Sequence, residues 1–585
     1  MKISKVCIKN YRNFKEFKIN FTDGFQTIIG ENNIGKSNFY QAVRLVLDKN
    51  LSYRDRYLDK KDFHGFEDLS LESHIIISVE LEGEDLASFP NLHALNNSER
   101  TAKITYIFAH KSKFLTTPGK VEEIKIDDFG WRLYGGGEFD KLDDILTLGE
   151  IHFRDIEGIN LFYITAFRNI YNDIQGKSKS LLSKYCISRP NAQVELEDLK
   201  EILTESSNRL NDLDFIPEIK DTVENMHKEI VGDDFSFPLS LEFESDFDED
   251  IWNQLKLNYE SSGKSIPINL LGLGQKNIIY LSLFLSKLKN DYSEHELNLL
   301  LIEEPESHLH PQLEKILFSN LQDLKNIQVF MTSHSTHIAS DCEYKNLNII
   351  YKTLSNNIKA FSPFTSNILT GREPLFLKRY LDATRSELFF ASGVIFVEGI
   401  AEQFLIPEIS KKVYGINLIE HNISVISIHC RYFDPFLKLL QNDGFEIPAS
   451  VIIDGDEKEI AEGETETTAV KNAKALEVQD RIKVFNGEST LETDLFFDYS
   501  INNSYLKNCF ENLGHKQSYN NLLDTVGVDG KEWKSELIKR IDGTISKGRF
   551  AQELSLLVDN DFTIPGYIEN AIRFVVEARG INFSD

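Results

Sequence analysis

The 585-residue sequence is short of positive charge: 64 Lys and Arg stand against 92 Asp and Glu, a formal net charge of −28. Phosphate contacts need clustered basic side chains, so this balance excludes nucleic-acid binding over the whole surface and confines any such path to a local patch. Cysteine is scarce as well. Cys7, Cys186, Cys342, Cys430 and Cys509 lie far apart, without the closely spaced pairs that zinc ribbons or redox motifs use. They read as reduced thiols of a cytoplasmic protein. No run of about 18 apolar residues offers a membrane span, and Met1 leads into Lys-Ile-Ser-Lys and an alternating pattern rather than a signal peptide. Internal repeats and low-complexity linkers are missing too. At this length, with 41% hydrophobic and 27% charged residues, the chain exceeds what one core usually supports. Two or more domains of a soluble, intracellular protein are expected.

What is present begins with alternation. Lys2 to Asn10 and Phe17 to Phe21 read as a hairpin feeding a strand over Gln26–Ile29, with a helix from about Ser37 to Leu47 beyond a Gly-rich loop. Stretches starting at His74 and Ala102 read as further antiparallel strands. From about Lys179 to Val231 the period turns helical with charged faces, the mark of a helical insertion. The acidic run from Glu242 to Asp250 reads as a solvated loop. Alternating helix and buried strand from Ile268 to Ile338 imply a parallel α/β core. A charged helical segment, Phe376 to Leu388, then leads to a second α/β unit.

Gly30-Glu-Asn-Asn-Ile-Gly-Lys36-Ser37 follows an apolar strand and precedes a helix, the context in which G-x-x-x-x-G-K-[ST] works. Backbone amides around Gly30, Asn33 and Gly35 cradle phosphates there, Lys36 reaches the terminal ones, Ser37 holds Mg²⁺, and the helix N-terminus adds partial positive charge. Leu299-Leu-Leu-Ile-Glu303-Glu304-Pro-Glu306 is a strand ending in adjacent carboxylates, and it resembles a Walker B motif: Glu303, where the general pattern has Asp, on the metal side, and Glu304 as the base that activates water. Val329 to His334 is a further buried strand whose His matches the switch histidine of ABC-type ATPases. Leu270-Leu-Gly-Leu-Gly274-Gln275 resembles the ABC signature without its usual Ser, and in that family the signature of one subunit closes over ATP held by the other. Two heads are therefore expected. His308 and His310 have alternate spacing but fall in the loop that resembles the partner-contacting one, so they are not taken as a zinc pair.

Downstream, Val394-Ile-Phe-Val-Glu398-Gly-Ile-Ala-Glu402 and Ser450-Val-Ile-Ile-Asp454-Gly-Asp456 are buried strands ending in carboxylates. Residues i and i+2 face one side of an extended chain, so Asp454 and Asp456 can converge on one ion with Glu398 from a neighbouring strand. This resembles the Toprim fold. With the Walker motifs, Tyr163 to Asn169, Leu381 to Ala391, Glu398 to Glu402, Asp454 to Asp456, Thr490-Leu-Glu492-Thr-Asp494 and Ser546-Lys547-Gly548 in that order, nearly the whole chain resembles the OLD (overcoming lysogenisation defect) family of nucleases. The resemblance implies that Glu398, Glu402, Asp454, Asp456, Glu492 and Asp494 hold two divalent ions, Mg²⁺ or Mn²⁺, with one more beside ATP, and that Lys547 steadies charge at the scissile phosphate. Ser427-Ile-His429-Cys430-Arg431 departs from the family's small, Gly-containing turn. Lys531, Lys534, Lys539, Arg540 and Arg549 add positive charge in the same region.

The expected architecture is thus α/β. An ABC/SMC-type ATPase head spans 1–370, with the insertion at about 179–231 expected to serve dimerisation; a connecting helix spans 371–392, and a C-terminal Toprim domain spans 393–585. The resemblance implies an ATP-regulated DNA endonuclease acting in defence against phage, as a homodimer or higher oligomer, alone or beside a helicase, as in Gabija systems, or a retron. Two other readings share some motifs. A topoisomerase-like strand-passage protein needs a Tyr nucleophile on a separate DNA-binding module, which the sequence does not offer. An SMC-type clamping ATPase needs long heptad arms between its nucleotide motifs, and the insertion is too short and irregular for them.

Overall fold

The computed structural model describes residues 1–66, 68–83, 86, 100–114, 124–137, 140–165, 181–182, 185, 214–243, 255–261, 263–291, 296–363, 368–381, 385–442, 444–455, 466–497, 500–524 and 530–583. The chain forms two compact units, Met1–Ile28 with Gly35–Asp341, and Ile29–Ile34 with Cys342–Asp585. Cys7, Cys342, Cys430 and Cys509 take part in no disulfide; Cys186 lies outside the described residues. Among the described residues no helix is long and apolar enough to cross a membrane.

In the first unit, β1 (Lys2–Tyr11) and β2 (Phe14–Asn20) form the expected antiparallel hairpin, followed by β3 (Phe25–Ile29) and α1 (Lys36–Leu47). With β4 (His74–Glu82), β5 (Thr101–His110) and β6 (Phe129–Gly135) the hairpin builds an antiparallel sheet ordered β2-β1-β4-β5-β6. After β7 (Ile159–Ile164) come helix α2 (Phe215–Val231) and a three-stranded antiparallel sheet of β8 (Leu239–Phe243), β9 (Leu255–Ser261) and β10 (Lys264–Pro267). Helix α3 (Leu273–Asp291), β11 (Leu297–Glu303), α4 (Pro311–Gln322) and β12 (Gln328–Ser333) complete the nucleotide-motif region.

β11 pairs in parallel with β7 on one side and β12 on the other, and all seven of its residues are buried. A parallel strand covered on both faces needs a mainly apolar run, here Leu299–Ile302 after the buried Asn298, and its carboxylate comes at the end. The longest described part of the expected insertion is α2, whose Phe215, Ile216, Ile219 and Val223 pack with Leu182, Tyr185, and Ile279 and Leu283 of α3. The Val194 to Leu203 segment lies outside the described residues. Glu242, expected in a solvated loop, instead lies in β8, opposite Lys256 of β9 in the strand register; residues 244–250 lie outside the described residues.

The second unit has an antiparallel hairpin, β13 (Leu347–Lys352) and β14 (Ile358–Phe361). Where one helical segment is expected over 376–388, the chain forms a short helix at Glu373–Tyr380 and a 3₁₀ stretch at Arg385–Phe390. A parallel sheet ordered β16-β15-β17-β18 follows, from β15 (Gly393–Val397), β16 (Ile423–Ser427), β17 (Ala449–Ile453) and β18 (Ile482–Asn486). Around it lie α5 (Ile400–Val413), α6 (Leu491–Leu495), α7 (Lys547–Leu557) and α8 (Gly566–Ala578). Helix α8 covers β15, β17 and β18 with Ile568, Ala571, Ile572, Val575 and Val576, a stripe at helical spacing. Each larger member, fully buried, contributes about 1.5–3 kcal/mol.

Close backbone approach fixes the ends of these strands. A Cβ on Gly455 would lie 2.3 Å from the Gly487 carbonyl oxygen, and one on Gly487 would lie 2.4 Å from Asp494 Oδ2 and 3.1 Å from the Tyr567 ring. Gly487→Ala is therefore expected to lower unfolding stability by about 1–3 kcal/mol, the usual cost of overpacking. Gly566→Ala, where the same atom meets nothing within 4 Å, is the control. Urea titrations of the two variants against the parent measure the difference, and equal midpoints would remove the packing argument.

Candidate functional site

Two clusters of polar side chains stand at strand ends. In the first, the loop after β3 carries positive φ at Gly30 (155°), Asn33 (61°) and Gly35 (116°). Such backbone turns successive N–H groups toward one point, as an anion-binding nest requires. Gly35 has no alternative, since a Cβ there would meet the Asn13 side-chain amide nitrogen at 2.1 Å. Asn13 accepts from Asn38 Nδ2 at 2.9 Å, Asn38 accepts from Arg12 Nη1 at 2.8 Å, and Arg12 Nε donates to Asp62 at 2.8 Å. This brace under the first turn of α1 went unread in the sequence because its members lie up to fifty residues apart.

Lys36 is buried and its Nζ lies 3.3 Å from His334 Nδ1, while His334 Nε2 lies 3.0 Å from Glu304 Oε1. Burial and the Lys36 charge lower the imidazole's affinity for a proton, with Glu304 opposing them. Glu304 has φ of 41° and is held by Thr332, whose carbonyl accepts its N–H at 3.1 Å. Glu303, at the end of β11, is buried with Oε1 lacking any hydrogen-bond partner, an acceptor well suited to a cation. Ser37 is exposed in the first turn of α1. The donor set thus fits a nucleotide with its divalent ion. Glu306, given no role from the sequence, accepts from Ser333 Oγ at 2.7 Å and from the His334 N–H at 3.1 Å, and burial pushes its carboxyl up to about 7. Gly274 and Gln275 stand in the first turn of α3; a Cβ on Gly274 would lie 2.4 Å from the His308 carbonyl oxygen. His310 caps α4, accepting from the Gln312 N–H.

In the second unit a cleft of about 390 Å³ is lined by Glu398, Glu402, Asp454, Glu492, Arg431 and Lys547 among others. Glu398 follows β15 and Asp454 follows β17, adjacent parallel strands, so the register alone brings them together. Glu398 Oε1 accepts the Asp454 N–H at 2.9 Å, and Asp454 Oδ1 accepts the Leu491 N–H at 3.1 Å, which ties α6 to the strand end. Glu402 folds back over Gly399, where a Cβ would meet its Oε2 at 3.2 Å. Lys547 Nζ pairs with Glu492 Oε2 at 3.1 Å and Arg431 Nε with Glu398 Oε2 at 3.0 Å.

Burial first, and neighbouring carboxylates second, push Glu402 up to about 7 and Asp454 up to about 8. Burial also raises Glu398, against the Asp454 N–H and Arg431. Hard oxygen donors crowded enough to resist ionisation are the donor set that Mg²⁺ or Mn²⁺ takes. Among the described residues no three His, Cys, Asp or Glu side chains are already grouped to hold an ion by themselves, and Asp456 lies outside the described residues.

Two placements differ from expectation. Asp494 does not line the cleft: its carboxylate accepts the Glu488 N–H at 3.0 Å and the Ser489 N–H at 3.1 Å, capping the turn after β18, and burial pushes it up to about 6. Lys547 stands not in a glycine turn but at the head of α7, after a π-helical turn at Ile541–Ile545; the left-handed residue is Ser546, with φ of 82°. Gly548 serves packing, since a Cβ there would lie 3.1 Å from Ile400 Cγ2. Of the other basic residues, Lys539 and Arg540 pair with Glu536.

An AAA ATPase domain model matches residues 1–130 and 152–339, and an overcoming lysogenization defect protein-like TOPRIM domain model matches residues 389–456. The chain is 25% identical over 580 residues to endonuclease GajA of Bacillus cereus (strain HuB5-5), covering 86% of this chain and 82% of that one. It is 22% identical over 466 residues to the Old nuclease of Escherichia phage P2, covering 73% of each. The C-terminal region of the Burkholderia pseudomallei OLD protein matches 32% of this chain and 99% of its own length at 29% identity, with a TM-score of 0.27. The chain belongs to the AAA ATPase domain family, carries an OLD-like TOPRIM domain after it, and is a homologue of the GajA and OLD nucleases.

Proposed function

We propose that this chain is an ATP-regulated, divalent-metal-dependent DNA endonuclease acting in the cytoplasm in defence against phage. The observation that carries the reading is the convergence of Glu398, Glu402, Asp454 and Glu492 with Lys547 in one cleft at the ends of parallel strands. The names of the two relatives reported above, an endonuclease and a nuclease, support it. ATPase function belongs to residues 1–370, a connecting segment to 371–392 and the cutting site to 393–585. Gly30, Asn33, Gly35, Lys36 and Ser37 hold ATP and its Mg²⁺ with Glu303; Glu304 is the base and His334 the sensor. Gly274 and Gln275 serve the ATP of a second copy, which makes the working form a homodimer or larger, alone or beside a helicase or retron.

Glu398, Glu402, Asp454, Asp456 and Glu492 are the residues to hold two ions, with Asp494 supporting them from the turn. Ions so bound would activate water and stabilise the leaving oxygen. Lys547 then meets charge as it develops on the phosphate, and no protein nucleophile is required. Incubating supercoiled plasmid with the protein and Mg²⁺ or Mn²⁺, with and without ATP, tests the reading. Nicked or linear DNA with free ends is expected; protein-linked ends would favour strand passage instead.

Asp454→Asn is expected to abolish cutting and leave ATP turnover intact. It should also stabilise the metal-free protein. A carboxyl raised to about 8 against about 3.9 unfolded disfavours folding above the unfolded value, so the parent gains stability as pH falls from 8 toward 4. The variant loses that part of the slope. Thermal melts in EDTA at pH 8 and pH 5 measure it, and an equal slope in both proteins would refute the crowding argument.

Glu304→Gln keeps the side chain's shape but cannot accept a proton. It is expected to bind ATP, hydrolyse it very slowly and keep the heads closed, as turnover assays and size-exclusion chromatography would show. Normal turnover would assign the base elsewhere.

Lys547→Ala is expected to lower single-turnover cutting by roughly a hundredfold to a thousandfold with little loss of metal or DNA affinity, because charge in the transition state exceeds that in the ground state. Near-normal cutting at saturating enzyme with weaker, less salt-sensitive binding would move Lys547 into the DNA path.

A further inference from the structure

The cleft contains a second cation that the family motifs did not supply. Arg431 lies in the segment that departs from the expected glycine turn, between Ile428 and Phe433, both fully buried. The segment is braced: His429 takes a left-handed φ of 50°, Ser427 Oγ accepts the His429 N–H at 3.4 Å, and Arg385 Nε donates to the Ser427 carbonyl at 2.9 Å. Between these fixed points the Arg431 side chain lines the cleft with 32% of its surface exposed. Both oxygens of Glu398 are engaged, Oε1 by the Asp454 backbone N–H and Oε2 by Arg431 Nε. An ion that takes Glu398 must share or displace one of these donors. The backbone N–H is fixed by the strand end; the guanidinium is on a flexible stem and carries like charge, so it is the one that yields.

The lining also sets a charge problem for DNA. Four carboxylates face two basic side chains, Arg431 and Lys547, in a chain of net charge −28. A phosphate can approach only where local cations outweigh that field. We infer that Arg431 is a DNA-phosphate-binding residue of the nuclease cleft, held on Glu398 until a divalent ion takes that carboxylate and then turned to the DNA backbone. The inference rests on the endonuclease reading above. It separates two cations by role: Lys547 acts on the chemical step, Arg431 on binding. Guanidinium suits a phosphate through its planar fork of donors.

The test is the salt dependence of affinity for a fluorescein-labelled 30-base-pair duplex, read by anisotropy, for the parent, Arg431→Gln and Arg431→Lys, once in EDTA and once with Ca²⁺ replacing Mg²⁺. With Ca²⁺, Arg431→Gln should lose the share of one phosphate, a slope of log affinity on log salt shallower by about 0.9. Between 50 and 200 mM salt that is about a threefold to fourfold smaller drop. In EDTA, parent and variant slopes should coincide, since the guanidinium is then occupied. Arg431→Lys should keep the parental slope in both conditions. A parental slope for Arg431→Gln in Ca²⁺, accompanied by lost cutting in Mg²⁺, would overturn the inference and leave Arg431 as a holder of Glu398 only. A parent protein that neither binds the duplex nor cuts it in Mg²⁺ would sink the endonuclease reading itself.

Discussion

Like charges crowded where water is thin are the constraint on which the second unit depends. Four carboxylates in one cleft repel one another, and burial removes the solvent that would screen them. Everything around them answers that repulsion. Backbone N–H groups of Asp454 and Leu491 are aimed at Glu398 and Asp454, two cations are drawn onto Glu398 and Glu492, and Glu402 is placed in the first turn of α5, where the helix terminus favours negative charge. The parallel sheet supplies the rigidity: β15, β17 and β18 are pinned in register and capped by a helix that buries a full apolar stripe.

The first unit solves a related problem with the opposite sign. Lys36 is a buried ammonium, which needs acceptors to remain there. His334 provides one, and Glu304 holds the imidazole in turn. Glu306, bonded to Ser333 and to the His334 backbone, fixes the strand end on which that imidazole rides. The loop that presents Lys36 is shaped by left-handed backbone at Asn33 and Gly35, and Asn13, Asn38 and Arg12 keep it in place.

Much of this was readable in the sequence because it is local. Strand-then-carboxylate patterns place Glu303, Glu398 and Asp454 without any knowledge of the partners, since a fully buried parallel strand is mostly apolar and leaves its carboxylates for the end. The Gly30 to Ser37 loop is likewise contiguous. What escaped is what depends on distant segments meeting. Arg431 was visible only as a breach of a family turn, and nothing in residues 427–431 alone says that Glu398 is its partner. Asp494 has the right spacing from Glu492, yet i and i+2 on a helix do not share a face, so one acid enters the cleft and the other caps a turn. Lys547 was read through Gly548, but the conformation that presents it belongs to Ser546 and the π-helical turn before it.

The imidazole bridging Lys36 and Glu304 has a further property. An ammonium offers only donors, so the contact at Nδ1 obliges that nitrogen to accept. A neutral ring carries a single proton, which must then reside on Nε2 and be given to the Glu304 carboxylate. The three groups therefore form a chain of fixed polarity, running from ammonium to imidazole to carboxylate, and the His334 tautomer is dictated by its neighbours on both sides. Whatever draws the Lys36 ammonium away releases Nδ1 as an acceptor and, with it, the bias that selected this tautomer.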